Sequence, residues 1–187
     1  MRYFKRWFFA GVLSLSIPRA ALAETLTLDP ARSAAEFSVS NLGFHKVHGR
    51  FKVLAGTIEY DAKSPTQSKI LVGIQAESID TGIPKRDHHL RSSDFFHTDL
   101  YPQISYVNQS IEQAGNHYVM VGYLTMKGQT RAVPVTFTFE AKRQANGKTL
   151  LKAQGHARIK REDFNITYGN GFTVGHIVNI DLTVEAQ

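Results

Sequence analysis

Residues 133–160, VPVTFTFEAKRQANGKTLLKAQGHARIK, decide the fold. Val133, Val135, Phe137 and Phe139 alternate with Pro134, Thr136, Thr138 and Glu140. Past Asn146-Gly147 the habit resumes, with Leu151, Ala153, Ala157 and Ile159 set against Lys152, Gln154, His156, Arg158 and Lys160. Successive side chains of a strand point to opposite faces, so period two marks a strand with one face buried. Asn-Gly supplies the positive φ of a tight reversal, and between two alternating runs it marks a hairpin. Pro134 has no N–H for a ladder, so it is expected near a strand start or a bulge.

The same pattern extends in both directions. Downstream, Val178, Ile180, Leu182 and Val184 share one face. Upstream, Val119, Val121 and Tyr123 oppose Met120, Gly122 and Leu124, a strand apolar on both faces. Ile70, Val72, Ile74 and Ala76 form another line, as do Ile58 with Tyr60, Phe51 with Val53, and Ala35 with Phe37 and Val39. A series of strands with open edges invites aggregation, so it must close into a barrel or stack as a sandwich. Alternation alone does not choose between the two. Residues 79–103 break the pattern. Pro84 suits the first turn of a helix, and Ser92, Ser93 and Asp94 suit a cap on a further turn. A long connection of this kind is either a mobile lid or a fixed plug at one end.

The N-terminus reads as a secretory signal. Arg2, Lys5 and Arg6 precede the apolar run 8–17, and Ala21-Leu22-Ala23 offers a cleavage site after Ala23. The run is short for a membrane anchor. Arg2, Lys5, Arg6 and Arg19 leave with residues 1–23 and no acid does, so the formal net charge falls from +6 to +2. No basic stripe for nucleic acid remains. With no cysteine, stability must come from burial rather than disulfides.

A search for chemistry returns little. The chain has no G-x-S-x-G, H-E-x-x-H, phosphate loop, dinucleotide fingerprint or thiol. His88, His97 and Asp94 lie in the 87–99 connection and are metal-ligand types, which keeps a metal-assisted hydrolase or isomerase as an alternative. Their spacing matches no recognised ligand set, and surface or capping roles account for them. Lys85, Arg86 and Arg91 could hold an anionic head group, or face solvent beside Asp87 and Asp94. The informative feature is the apolar inventory. Phe37, Phe44, Phe51, Phe137 and Phe139 fall on or beside apolar faces, and Phe95-Phe96 stands in the long connection. A small barrel either fills its interior with side chains or leaves room for one ligand.

Several separated motifs, in order, resemble the YceI-like family of exported bacterial barrel proteins. They are Ser33-Ala34-Ala35-Glu36-Phe37-Ser38-Val39, Val47-His48-Gly49-Arg50-Phe51 and Gly56-Thr57-Ile58. The most specific stretch is Ser78-Ile79-Asp80-Thr81 with Arg86-Asp87-His88-His89-Leu90-Arg91-Ser92-Ser93-Asp94-Phe95-Phe96 and Tyr101-Pro102. Gly122-Tyr123-Leu124-Thr125-Met126-Lys127-Gly128-Gln129-Thr130-Arg131 and Arg161-Glu162-Asp163-Phe164 complete the set. Two positions depart from the family pattern: Asn165 stands where glycine is usual, and His176 where aspartate often follows Val-Gly.

The resemblance implies an all-β, extended eight-stranded antiparallel lipocalin-like barrel, with short helices in the long connection, spanning residues 24–187. It implies an elongated apolar cavity for an isoprenoid chain, of the prenyl quinone or prenyl phosphate type. The residues expected to line or close it are Phe37, Phe51, Leu90, Phe95, Phe96, Tyr106, Met120, Leu124, Phe137, Phe139 and Phe164. Arg86, Asp87 and His88 are expected at its mouth. The expected protein is periplasmic, a carrier, buffer or store and not an enzyme, with no cofactor beyond the lipid itself. Its expected partner is a long-chain isoprenoid lipid, with transient membrane contact and a homodimer both compatible and nucleic acid not. Carriage of other long amphiphiles, such as fatty acids or their amides, is the nearest alternative.

Overall fold

The computed structural model describes residues 23–187, so the expected signal segment lies, but for Ala23, outside the described residues. The deciding hairpin forms as read. Strand β9 (Gln129–Arg143) and strand β10 (Thr149–Lys160) pair antiparallel with Phe137 opposite Gly155 and Phe139 opposite Ala153. Gly147 takes φ +82°, and the Asn146 carboxamide accepts the Lys148 N–H at 2.9 Å. Pro134 lies inside β9, one residue beyond the last β9–β10 pair, Ala157↔Val135.

The other strands are β1 (Glu24–Thr27), β2 (Ala34–Asn41), β3 (His45–Phe51), β4 (Leu54–Tyr60), β5 (Lys69–Gln75), β6 (Ile79–Asp80), β7 (Gln103–Ala114), β8 (His117–Met126) and β11 (Val174–Ala186). All belong to one antiparallel sheet, in the order β1-β4-β5-β7-β8-β9-β10-β11-β2-β3-β6. The sheet curls round on itself: Thr27 and Gln187 exchange backbone hydrogen bonds at 2.9 and 3.0 Å, and Leu28 bridges Ala186. The expected class, all-β and antiparallel, holds.

The expected count of eight strands is corrected to eleven among the described residues, for local reasons. Lys52-Val53 bends the chain and separates β3 from β4. At the same level a 3₁₀ turn, Ala76–Ser78, separates β5 from β6. The two breaks satisfy each other: Lys52 donates to the Ser78 carbonyl, Val53 to the Ser78 hydroxyl, and Gln75 to the Val53 carbonyl. The bend lets β3 stay on β2 while β4 leans away, and β1 pairs along β4 from Glu24↔Tyr60 to Thr27↔Thr57. Val53 therefore does not continue the inward row of Phe51 and is exposed.

The expected short helices reduce to one α-helix, α1 (Pro84–Arg91), with Pro84 in its first turn. Ser92 ends it, its hydroxyl bonding the His89 carbonyl at 2.8 Å, and the chain continues as turns, so no second helix follows. Three side chains fasten α1 to the strand before it. Asp87 accepts hydrogen bonds from both the N–H and the hydroxyl of Thr81. Arg86 bonds the Thr81 hydroxyl and carbonyl at 2.8 and 2.9 Å, and Arg91 bonds the carbonyls of Glu77 and Ile79. The helix with its turns, the β8–β9 reversal at 127–128, the 161–173 connection and the β2–β3 turn at 42–44 all sit at one end of the barrel. Hairpins 61–68, 115–116 and 144–148 sit at the other.

Asn165, one of the two departures, takes φ 57° and ψ 25°. That left-handed conformation is what glycine serves elsewhere, and asparagine is the residue that tolerates it next best.

Candidate ligand tunnel

The inward rows do not meet. They enclose a cavity of about 420 Å³ that runs from Tyr60 and Phe139 near one end of the barrel to His89 and Tyr168 at the other. Such a volume falls within the range of about 300–1,000 Å³ usual for small-molecule sites. A void survives because small and large inward residues face each other. On β10 the inward row is Ala153, Gly155 and Ala157; its partners on β9 are Phe139, Phe137 and Val135. Rings also fill the space beside glycines: a Cβ at Gly49 would collide with the Phe37 ring, and one at Gly122 with the Tyr106 ring.

Ten of the eleven expected lining residues stand in this wall. Phe37 and Phe51 come from β2 and β3, with ring centroids 5.8 Å apart, and Phe96 meets Phe51 edge-on at 5.6 Å. Leu90 and Phe95 reach it from α1 and the turn that follows. Tyr106, Met120 and Leu124 line it from β7 and β8, and Phe137 and Phe139 from β9. Many of these are only half-buried although they point inward, because the surface they leave open faces the void. Burial pushes the Tyr106 phenol well above its usual pKa, so it stays neutral and donates to the Val133 carbonyl at 3.1 Å.

Phe164 is the exception. It is almost wholly buried, on the 3₁₀ turn Arg161–Phe164, and packs in the core outside the tunnel wall. The mouth is also revised. Arg86 lines the cavity, but its Nε and Nη2 are taken by Thr81. Asp87 is buried as the anchor of α1, and His88 is exposed and off the wall. The neighbour His89 does what was expected of His88. Its ring stands edge-on to Phe95 at 5.1 Å and to Tyr168 at 4.8 Å, and Nε2 meets the Asp94 carboxylate at 2.8 Å. Helical spacing explains the swap: Arg86, His89 and Leu90 share one face, and His88 points elsewhere.

Arg161 was missed as a wall residue. Its side chain is buried, and its guanidinium donates to the carbonyls of Gly175, Ile166, Tyr168 and Val174 at 2.7–3.0 Å. It thereby ties the 161–173 connection to the start of β11. Glu162 beside it accepts from His176 at 2.6 Å, so the second departure from the family pattern is a hydrogen-bonding partner. Burial alone would raise the Glu162 carboxyl; the His176 hydrogen bond and the Arg161 charge outweigh it and hold it below the usual range.

Apart from Glu36 on β2, the exposed members of the wall are Ser40, His89 and Tyr168, all at the α1 end. The opposite end is closed by the buried Tyr60, Ser68 and Leu151. The arrangement can take up a long apolar molecule through one rim. Among the described residues no three His, Cys, Asp or Glu side chains converge to hold a metal ion. His97, at φ 49°, packs on Tyr101, and Asp94 pairs with His89.

A family model described as the YceI-like domain matches residues 26–186. Protein YceI of Salmonella agona is 31% identical over 166 residues, covering 85% of this chain and 84% of that protein. Protein YceI of Shigella flexneri is 36% identical over 137 residues, covering 70% and 69%. Among solved structures, BcnA of Burkholderia cenocepacia superposes with a TM-score of 0.78 at 26% identity, covering 86% of this chain and 99% of that one. A domain of Saccharophagus degradans described as polyisoprenoid-binding superposes with a TM-score of 0.67 at 19% identity, covering 89% and 98%, and shares the fold.

Proposed function

The chain belongs to the YceI-like family, and from that premise we infer that it binds one long-chain isoprenoid lipid in the tunnel, as a carrier, buffer or store rather than an enzyme. The observation that carries the reading is the tunnel itself: about 420 Å³, walled mostly by apolar side chains, with the exposed Ser40, His89 and Tyr168 at one rim. The fold shared with a polyisoprenoid-binding domain is consistent with it. The rim argues for the head group. Arg161 spends its donors on backbone carbonyls, and Arg86 keeps only Nη1 uncommitted. An anionic phosphate would find little free charge there, whereas an uncharged ring suits the edge-on cluster of His89, Phe95 and Tyr168. The ligand class is therefore a prenyl quinone rather than a prenyl phosphate.

Energetics set the role. A long apolar chain leaving water gains about 0.8 kcal/mol gross for each buried CH₂. Ordering removes much of it, since affinities saturate near roughly −20 kcal/mol. The competitor in a cell is a bilayer, which solvates isoprene about equally well, so the protein matches the membrane and exchanges with it. The signal-like pattern of residues 1–23 supports a periplasmic site for this work, with a mature chain expected to begin at Glu24. Native mass spectrometry of protein taken from its host is the direct test. A prenyl quinone adduct is expected; ligand-free protein that also fails to speed quinone transfer between vesicles defeats the reading.

A further inference from the structure

We propose that the mouth end of the barrel docks on an anionic lipid bilayer through the aromatic tips of two loops, 42–44 and 168–172. The proposal rests on the reading of the tunnel as a lipid site and says how the lipid reaches it. Phe44 is 78% exposed and Phe172 61%, with Tyr168 at 47% and Leu42 at 42%. Single exposed apolar residues are ordinary, but these four are gathered on neighbouring loops. Gly43 donates to the Phe172 carbonyl at 3.1 Å, the Asn41 carboxamide to the Thr173 carbonyl at 2.6 Å, and the Phe172 ring lies against Gly43. Asn170 folds the second loop by accepting the N–H groups of Phe172 and Thr173. Leu42 holds φ 51°, a conformation unfavourable for a bulky side chain, at a turn position where asparagine or glycine is the easier choice.

Tyr168 joins the patch to the tunnel. It stands in the tunnel wall against His89 and Phe95, and it is exposed on the same loop as Phe172. Apolar tips seated among acyl chains would open the lumen toward the hydrocarbon, and a lipid could pass without crossing water. The charge around the tips fits anionic head groups. Lys46 follows the first tip, and Lys85 lies on α1 at the same end. Lys46 and Lys85 are exposed and make no ion pair among the described residues; Asp163 is the exposed acid on the 161–173 connection. Basic groups beside an inserted apolar face strengthen attachment to anionic lipid. A second copy of the chain is a poorer occupant, because a two-fold contact would gather both sets of cations round one axis and seal the mouth.

Flotation of the delipidated mature chain with phosphatidylethanolamine–phosphatidylglycerol vesicles tests this. The wild type is expected to float, less so at high salt or with phosphatidylcholine alone. Phe44→Ser with Phe172→Ser should lower partitioning by roughly a hundredfold, about tenfold for each inserted ring. Neither residue lines the tunnel, so binding of a short water-soluble prenyl quinone, measured without vesicles, should be unchanged in that variant. Leu71→Ser with Tyr123→Ser, on the exposed row Leu71–Val107–Tyr123 of the outer face, should float as wild type. The proposal falls if the loop variant floats normally, or if only the outer-face variant loses flotation. It also falls if wild type stays off vesicles and sediments as a dimer that the loop substitutions break. Wild type that floats but binds no quinone would instead sink the tunnel reading and leave the docking surface standing.

Discussion

Replacing Phe139 by aspartate puts a carboxylate in the apolar wall of the tunnel. The Phe139 ring sits 6.1 Å from Tyr60 and 5.1 Å from Tyr118, centroid to centroid, near the closed end. In the empty protein the lumen admits water, and the new carboxyl keeps an ordinary pKa of about 3.9. In the loaded protein a hydrocarbon chain replaces that water, and the carboxyl must be neutral. At pH 7 protonating it takes about three units at 1.36 kcal/mol each, or about 4 kcal/mol, so the ligand binds roughly a thousandfold more weakly. The loaded-state pKa is raised, so binding recovers as pH falls, about tenfold per unit, until it levels near pH 4. Equilibrium depletion of labelled prenyl quinone from vesicles, at pH values between these limits, reads the slope. Phe139→Asn, which cannot ionise, should weaken binding without that slope. Near-normal binding of the aspartate variant at pH 7, or a loss independent of pH, would refute the apolar, lipid-filled lumen.

Other outcomes follow from the same geometry. Arg161→Met strands buried carbonyls of the 161–175 segment and should destabilise the fold by about 3–5 kcal/mol in urea unfolding, with lysine a poor rescue because one ammonium cannot reach diverging acceptors; a loss below about 1 kcal/mol would contradict the anchoring role. Asp87→Ala should cost about 1–3 kcal/mol and speed amide exchange over residues 81–91, since Thr81 loses its acceptor; unchanged exchange there argues against the fastening of α1. Gly49→Ala pushes the Phe37 ring toward the lumen and should weaken quinone uptake while melting shifts only modestly, a comparison of calorimetry with ligand depletion. The Glu185 carboxyl is held below its usual range by hydrogen bonds from Arg32 and Lys152, so the stability it confers is present above the unfolded value and is lost as pH falls through the lower folded one. Urea midpoints of Glu185→Gln should therefore lie below wild type at neutral pH and converge with it in acid.

Much of the wall was legible in the chain. Period two placed Phe137 and Phe139 on one face with Val133 and Val135, and Asn146-Gly147 fixed the reversal that aligns them with β10. On β8, whose two faces are both apolar, Met120 and Leu124 lie on the face that looks inward. The misses at the tunnel itself lie in segments without strand periodicity. Phe164 looks like its neighbours on paper, but a 3₁₀ turn carries it into the core. In α1 a rotation of one residue, about 100°, separates His89 at the rim from His88 in solvent. Arg161 read as one more charged motif residue; nothing local says that several carbonyls will converge on it.

The sequence by itself determined that this is an antiparallel β protein with inward rows of large apolar side chains, because alternation is a property of each strand alone. Only the tertiary structure decided that those rows enclose a tunnel. A lumen depends on which residues stand opposite one another: the Phe139, Phe137 and Val135 side chains against Ala153, Gly155 and Ala157, the Phe37 ring beside Gly49, and the Tyr106 ring beside Gly122. Those are cross-strand pairings set by register and curl, and no single strand carries that information.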